Sequence, residues 1–200
     1  MSTLIFLWLQ NQKFYRLLQK KAVEPIGSTA DAKIWADIGC STGLMTRLAQ
    51  SLNYTVVGYD INFFSLLLAK LLSFNLKNIS YEKEDFHELS SRFDVVSATS
   101  LLSVMDEKEE ALKALISLLK DSESMLILIE PTVKLTVKNV KDLIHDFKTF
   151  WYYKGLLVWA NAREDKATPK TIFNDLDGVD VSHVYALHDM VRITTIKKKI

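Results

Sequence analysis

Two hundred residues, 48% of them hydrophobic, suffice for one well-packed domain and are too few for two comfortable ones. Twenty-five basic residues against 24 acidic ones leave a net charge of +1, so the chain as a whole makes no electrostatic case for nucleic acid. A single cysteine, Cys40, excludes an internal disulfide framework and a cysteine-rich zinc site, and fits a cytoplasmic location.

The first apolar periodicity runs over residues 4–23, with Leu4, Leu7, Trp8, Phe14 or Tyr15, Leu18 and Ala22 at near-helical spacing. Its initial apolar run stops at Gln10 and has no basic residue before it, too short for a membrane span and poorly formed for a signal peptide. After Gly27 and Ser28 come a strand over 33–38, a glycine turn, and a helix over about 42–52. A second strand covers 54–59, and Asn62 is placed to cap a Leu- and Phe-rich helix to residue 72. A short strand at 79–82 ends near Asp85 and Phe86; a fourth strand at 93–98 precedes a loop and a helix over 107–119. The fifth strand, 125–129, is almost wholly apolar and stops at Glu130 and Pro131. Continuous apolar runs alternating with helices predict a parallel sheet covered on both faces. A long helical region then spans 137–162, Thr168 and Pro169 open a short helix, and runs 181–186 and 190–196 form an antiparallel hairpin. The three lysines at 197–199 read as a solvated tail. With no linker or repeat, residues 1–200 form one domain: an accessory helix (1–27), a cofactor-binding half (33–131), and substrate-side helices with the hairpin (132–200).

Chemistry concentrates at the first strand and its turn, Ile34-Trp35-Ala36-Asp37-Ile38-Gly39-Cys40-Ser41-Thr42-Gly43. A buried strand, a glycine turn, a helix and then Asp60 at the end of the next strand describe a nucleoside-cofactor site at the carboxyl edge of a parallel sheet. The dinucleotide pattern G-x-G-x-x-G fails at Ser41 and Leu44, and the Gly-Lys-Ser/Thr of a phosphate loop is absent. That argues against a nicotinamide-dependent oxidoreductase. The acid-first pattern Asp37-x-Gly39-x-x-x-Gly43 resembles motif I of the class I S-adenosylmethionine-dependent methyltransferases. Together with the element order, the resemblance covers about residues 33–198. It implies an α/β three-layer sandwich: a Rossmann-like, mostly parallel seven-stranded sheet with its last strand antiparallel.

The resemblance also implies roles. Asp37 organises the turn or reaches the amino group of the cofactor's methionine part; the alternative is a helix-capping or turn acid. Gly39 and Gly43 let the backbone pass close to the ligand, with Cys40 between them and Ser41 in place of a common middle glycine. Asp60, seventeen residues beyond Gly43, is placed to accept from both ribose hydroxyls; Ile61 then packs on the adenine. Asp85 accepts from the adenine amino group and Phe86 offers a backbone N–H, the alternative being an exposed acidic loop. Ala98 and Thr99 line the methionine end.

No universal catalytic residue is expected, because a sulfonium methyl is already activated and alignment is the main task. Ser103 stands where many small-molecule relatives carry a histidine, which argues against a borrowed histidine mechanism. His87, His145, His183 and His188 show no metal-ligand spacing, so no metal is expected. Glu130 is the candidate polar group of an acceptor pocket, and Tyr15 and Trp151 represent the aromatic clusters that either cover an acceptor or serve as core or dimer contacts. Neutral charge and aromatic accessory regions favour a small, fairly apolar organic acceptor, with no nucleic acid and with a homodimer left open. A protein or RNA methyltransferase needs a basic stripe, for which only Lys134, Lys138 and Lys141 are in a suitable place. A partner protein that kept the fold without turnover is the remaining alternative.

Overall fold

The computed structural model describes residues 2–147 and 150–199; of residues 147 and 150–152 it describes the backbone alone. Seven strands, β1 (Ile34–Ile38), β2 (Thr55–Tyr59), β3 (Ile79–Glu82), β4 (Val95–Thr99), β5 (Met125–Pro131), β6 (Val179–Ala186) and β7 (Val191–Lys198), form one sheet. Their order is β3-β2-β1-β4-β5-β7-β6, and every pairing is parallel except those made by β7. β7 is therefore the one reversed strand of the sheet. This is the mostly parallel sandwich the residues predict.

Alternation along the strands feeds two cores. Trp35 on β1 and Ile127 and Ile129 on β5 point to one face, where they meet α2 (Lys13–Val23), α3 (Leu44–Gln50), α6 (Val137–Phe147) and α7 (Phe150–Arg163). Ala36, Ile38, Leu126 and Leu128 point to the other, against Leu112 and Leu115 of α5 (Lys108–Ser117). α4 (Phe63–Leu72) covers the β3 edge through Leu66, Ala69 and Tyr81.

Five features depart from the sequence expectation. The N-terminal helix is two: α1 (Thr3–Gln10) stops where the side chains of Asn11 and Gln12 donate back to the carbonyls of Leu7 and Trp8, at 2.9 and 3.1 Å. The region 137–162 is also two helices, and the helix expected after Pro169 is a single 3₁₀ turn, Lys170–Phe173. β5 continues through Glu130 to Pro131, because β7 pairs with it there through Arg192 and Val191. The terminal lysines are no free tail: Lys197 and Lys198 lie in the β7 register, and Lys198 Nζ donates to the Leu119 carbonyl at 2.6 Å.

Candidate functional site

At the carboxyl end of β1 the chain reverses through Gly39 (φ 66°), Ser41 (φ 50°) and Gly43 (φ 74°), all left-handed, before α3 begins. Glycine is needed at both ends of this turn for different reasons. A Cβ on Gly39 would press against Leu101 Cδ1 at 3.1 Å, whereas one on Gly43 would run into the Tyr81 ring at 2.8 Å and its hydroxyl. Gly43 thus makes room for the protein's own tyrosine. Ser41 tolerates its conformation because its N–H donates to Asp60 Oδ2 at 2.8 Å.

Asp60 sits just past β2. Its other oxygen, Oδ1, accepts from the Asn62 N–H at 2.8 Å, so the carboxylate ties the glycine turn to the start of α4. An ionised carboxylate has about four acceptor positions; two are taken here. Asp37 is placed differently. It is buried, with Oδ2 accepting from Thr46 Oγ1 at 2.7 Å and Oδ1 from Ser97 Oγ at 2.9 Å. Ser97 in turn accepts from Trp35 Nε1 at 2.8 Å. Burial, against the pull of these hydroxyls, pushes the Asp37 carboxyl up to about 6.

A cavity of about 380 Å³ opens where β1, β2 and β4 end. Gly39, Ser41, Asp60, Ile61, Asp85, Phe86 and Thr99 all line it. Asp85 Oδ1 caps the turn Phe86–Glu88 by accepting from the His87 N–H at 3.0 Å, and the Phe86 N–H opens that turn, where no acceptor exists within it. Asp37 and Cys40 border instead a recess of about 10 Å³, one water's worth, with Gln10, Tyr15 and Gln19. The recess shares Phe6, Gly39 and Thr99 with the cavity, so the two adjoin. Desolvation at Cys40 holds its thiol well above the ordinary range, which makes it an inert packed side chain.

Of the acceptor-side candidates, Ser103 and Glu130 meet each other, and neither they nor Tyr15 line the cavity. Tyr15 is buried against Trp159, ring centroids 5.3 Å apart, with a hydroxyl that has no hydrogen-bond partner among the described residues and a pKa driven up by burial. Ser103 is buried, its Oγ donating to the Ser100 carbonyl. Glu130 is fully buried and does not line the cavity. It accepts from the N–H groups of Leu102 and Ser103 at 3.0 and 3.1 Å and from Thr168 Oγ1 at 3.0 Å, clamping the loop after β4 to the segment before β6. Burial pushes its carboxyl up to about 7. The Trp151 side chain lies outside the described residues.

Sequence reasoning missed Thr3 and Phe6 of α1, the loop residues Leu101, Val104 and Met105, and Arg163 at the end of α7, all of which line the cavity. An i, i+3 pair on a helix and an arginine at a helix end carry no motif.

Residues 8–163 match the family model described as a methyltransferase domain. No curated protein matches the chain in sequence. Among solved structures, the plantazolicin methyltransferase BpumL in complex with SAH superposes with a TM-score of 0.69 at 13% identity, covering 98% of this chain and 89% of that one. The N-methyltransferase NodS from Bradyrhizobium japonicum WM9, in complex with S-adenosyl-l-homocysteine, gives 0.66 at 12% identity, covering 96% and 90%. The ribosomal protein L11 methylase from Lactobacillus delbrueckii subsp. bulgaricus gives 0.58 at 14%, covering 92% and 77%. Identities this low speak for a shared fold, and the acceptors named for two of them, plantazolicin and ribosomal protein L11, differ.

Proposed function

The chain belongs to the methyltransferase domain family, and from that membership we propose that it is an S-adenosylmethionine-dependent enzyme acting on a small, fairly apolar organic acceptor. The observation that carries the cofactor half is the cavity lined by Gly39, Ser41, Asp60, Asp85, Phe86 and Thr99. The residues fit the cofactor. Asp60 keeps acceptor positions free beyond its bonds to Ser41 and Asn62, and a pair of ribose hydroxyls can use both. Ile61, 69% exposed, offers an apolar plate for adenine, and Asp85 and Phe86 supply an acceptor and an N–H for its edge. Gly39, Thr99 and the polar recess beside them suit the methionine end.

When bound, the cofactor would supply an activated sulfonium methyl, whose transfer to the acceptor leaves the sulfur behind as a neutral thioether. The chain's own residues bind, orient and exclude water, which accounts for large rate effects when the reacting atoms are held in line. Phe6, Leu101, Val104 and Met105 give the acceptor side an apolar wall, and Arg163 adds a cation there. Glu130 holds that wall in place through Leu102 and Ser103. In this reading residues 33–131 carry the cofactor and, through Leu101, Val104 and Met105, part of the acceptor wall, which 1–27 and 132–200 complete.

Calorimetric titration with S-adenosylmethionine, S-adenosylhomocysteine and NAD tests the assignment. Micromolar binding of the first two and none of NAD is the expected result. Failure of both sulfur ligands to bind would leave a methyltransferase fold that serves as a partner protein.

A further inference from the structure

Most of the large apolar side chains that the fold leaves in water lie on α1, α2 and α4 or just past them, beside the cavity. α4 buries Leu66 and Ala69 and turns Phe63, Phe64, Leu67 and Leu71 outward, each at least 43% exposed; Phe74, just past its end, is 80% exposed. α1 does the same with Leu4, Ile5 and Trp8, at 39% or more. The two helices are joined at their starts, where Thr3 Oγ1 and Ser65 Oγ share a hydrogen bond of 3.1 Å. Both border the cavity, through Thr3 and Phe6 on one side and Asn62 and Ser65 on the other. A helix that is apolar on its outer face as well as its inner one calls for something to cover it, and a patch of this extent marks an interaction surface.

Charge identifies the cover. Residues 1–23 contain Lys13, Arg16, Lys20 and Lys21 and no acid; residues 61–78 contain Lys70 and Lys77 and no acid. All six cations are exposed, in a chain whose 25 basic and 24 acidic residues nearly cancel. On α2 the four cations surround Leu17, itself 49% exposed. A second copy of the chain meeting this face would set cations against cations. Apolar side chains on helices that carry cations and no acid of their own suit an interfacial position on an anionic bilayer, where apolar area and electrostatic attraction add.

We propose that α1, α2 and α4 form a docking surface for an anionic lipid bilayer, with the cavity opening beside it. The chain lies on such a surface: among the described residues no helix is long and apolar enough to cross a membrane. An apolar acceptor then reaches the cavity from the lipid phase. That last step rests on the acceptor reading above; the docking surface does not.

The test is co-sedimentation with vesicles of phosphatidylcholine alone and of equal parts phosphatidylcholine and phosphatidylglycerol. The expected result is binding to the mixed vesicles that weakens with salt and is at least ~10-fold weaker on phosphatidylcholine, since each cation near an anionic surface adds attraction. The combined substitution Leu4→Ser, Leu71→Ser, Phe74→Ser, and separately Lys13→Gln, Lys20→Gln, Lys70→Gln, should each reduce binding at least ~10-fold. Both variants keep wild-type affinity for S-adenosylhomocysteine, which shows they are folded. Absence of vesicle binding by the wild type overturns the proposal. So does a wild-type dimer in sedimentation velocity that the Leu4, Leu71, Phe74 variant converts to monomer without vesicle binding. A wild type that binds vesicles but not S-adenosylhomocysteine keeps the docking surface and removes the cofactor assignment.

Discussion

Asp60 serves the turn and, in the proposed function, the ligand with one carboxylate. Its oxygens already hold the N–H groups of Ser41 and Asn62, so Asp60→Ala removes the ribose acceptor and also releases a serine held at φ 50°. Two hydrogen bonds to a charged group at about 1.5–3 kcal/mol each place the loss of S-adenosylhomocysteine affinity at roughly 100-fold or more. Titration calorimetry reads it, and unchanged affinity would take Asp60 out of the site. The position of Asp60 after its strand was legible because strand end and glycine turn are local features. The fate of Asp37 was not: its partners Thr46 and Ser97 become neighbours only when α3 packs and β4 pairs with β1. Glu130 was legible as an acid at a strand end, but Leu102, Ser103 and Thr168 satisfy it from 28, 27 and 38 residues away. A buried acid whose donors come from three other places in the chain reads, in one dimension, like an acid facing a pocket.

The strand–turn–helix unit depends on what stands behind it. Tyr81 reaches from β3 to fill the space left by Gly43 and Gly58, and its hydroxyl is bonded to Ser73 Oγ at 2.8 Å. Gly43→Ala therefore meets both a left-handed backbone, about 1–2 kcal/mol for an L-residue, and a collision in a packed region, about 1–3 kcal/mol. Urea unfolding should show a loss of about 2–5 kcal/mol. Adding Tyr81→Phe returns part of it by removing the hydroxyl while leaving the backbone cost. A Gly43→Ala protein as stable as the wild type would mean Tyr81 does not hold the turn. The first five strands were readable because short runs rich in apolar residues alternate with helical stretches; the helix breaks were not. Periodicity passes unbroken over Asn11 and Gln12, although the side chains of both turn back to end α1. Gly155 in α7 likewise reads as a mild helix weakness. In space it lets α2 approach, since a Cβ there would lie 2.7 Å from Gln12 Cγ and 2.8 Å from Phe14 Cε1.

Across the whole molecule, two fully buried carboxyls make stability depend on pH in the direction opposite to ordinary acid denaturation. Asp37 is raised from 3.8 to about 6 and Glu130 from 4.5 to about 7, in both cases chiefly by desolvation. Between the ordinary carboxylate range and these values the folded chain binds more protons than the unfolded one. Stability therefore falls as pH rises through that window and is lowest above about pH 7. His183, lowered by burial, acts in the other sense near its ordinary value of 6.5, so the decline is clearest between pH 4 and 6. A shift of this size at Glu130 corresponds to about 3 kcal/mol. Thermal unfolding should accordingly give a lower midpoint at pH 7 than at pH 5. Glu130→Gln should flatten the slope, because the amide keeps one acceptor for the Leu102 N–H and carries no charge to desolvate. The same substitution turns an N–H₂ toward Ser103 N–H and so loosens the loop that walls the acceptor side, while Asp60 and the glycine turn stand untouched. Glu130→Gln should then leave S-adenosylhomocysteine affinity within about twofold, since the loop lies outside the ribose contact. A wild-type midpoint that rises from pH 5 to pH 7 would show both carboxyls ionised in place, held by their five donors against the cost of burial.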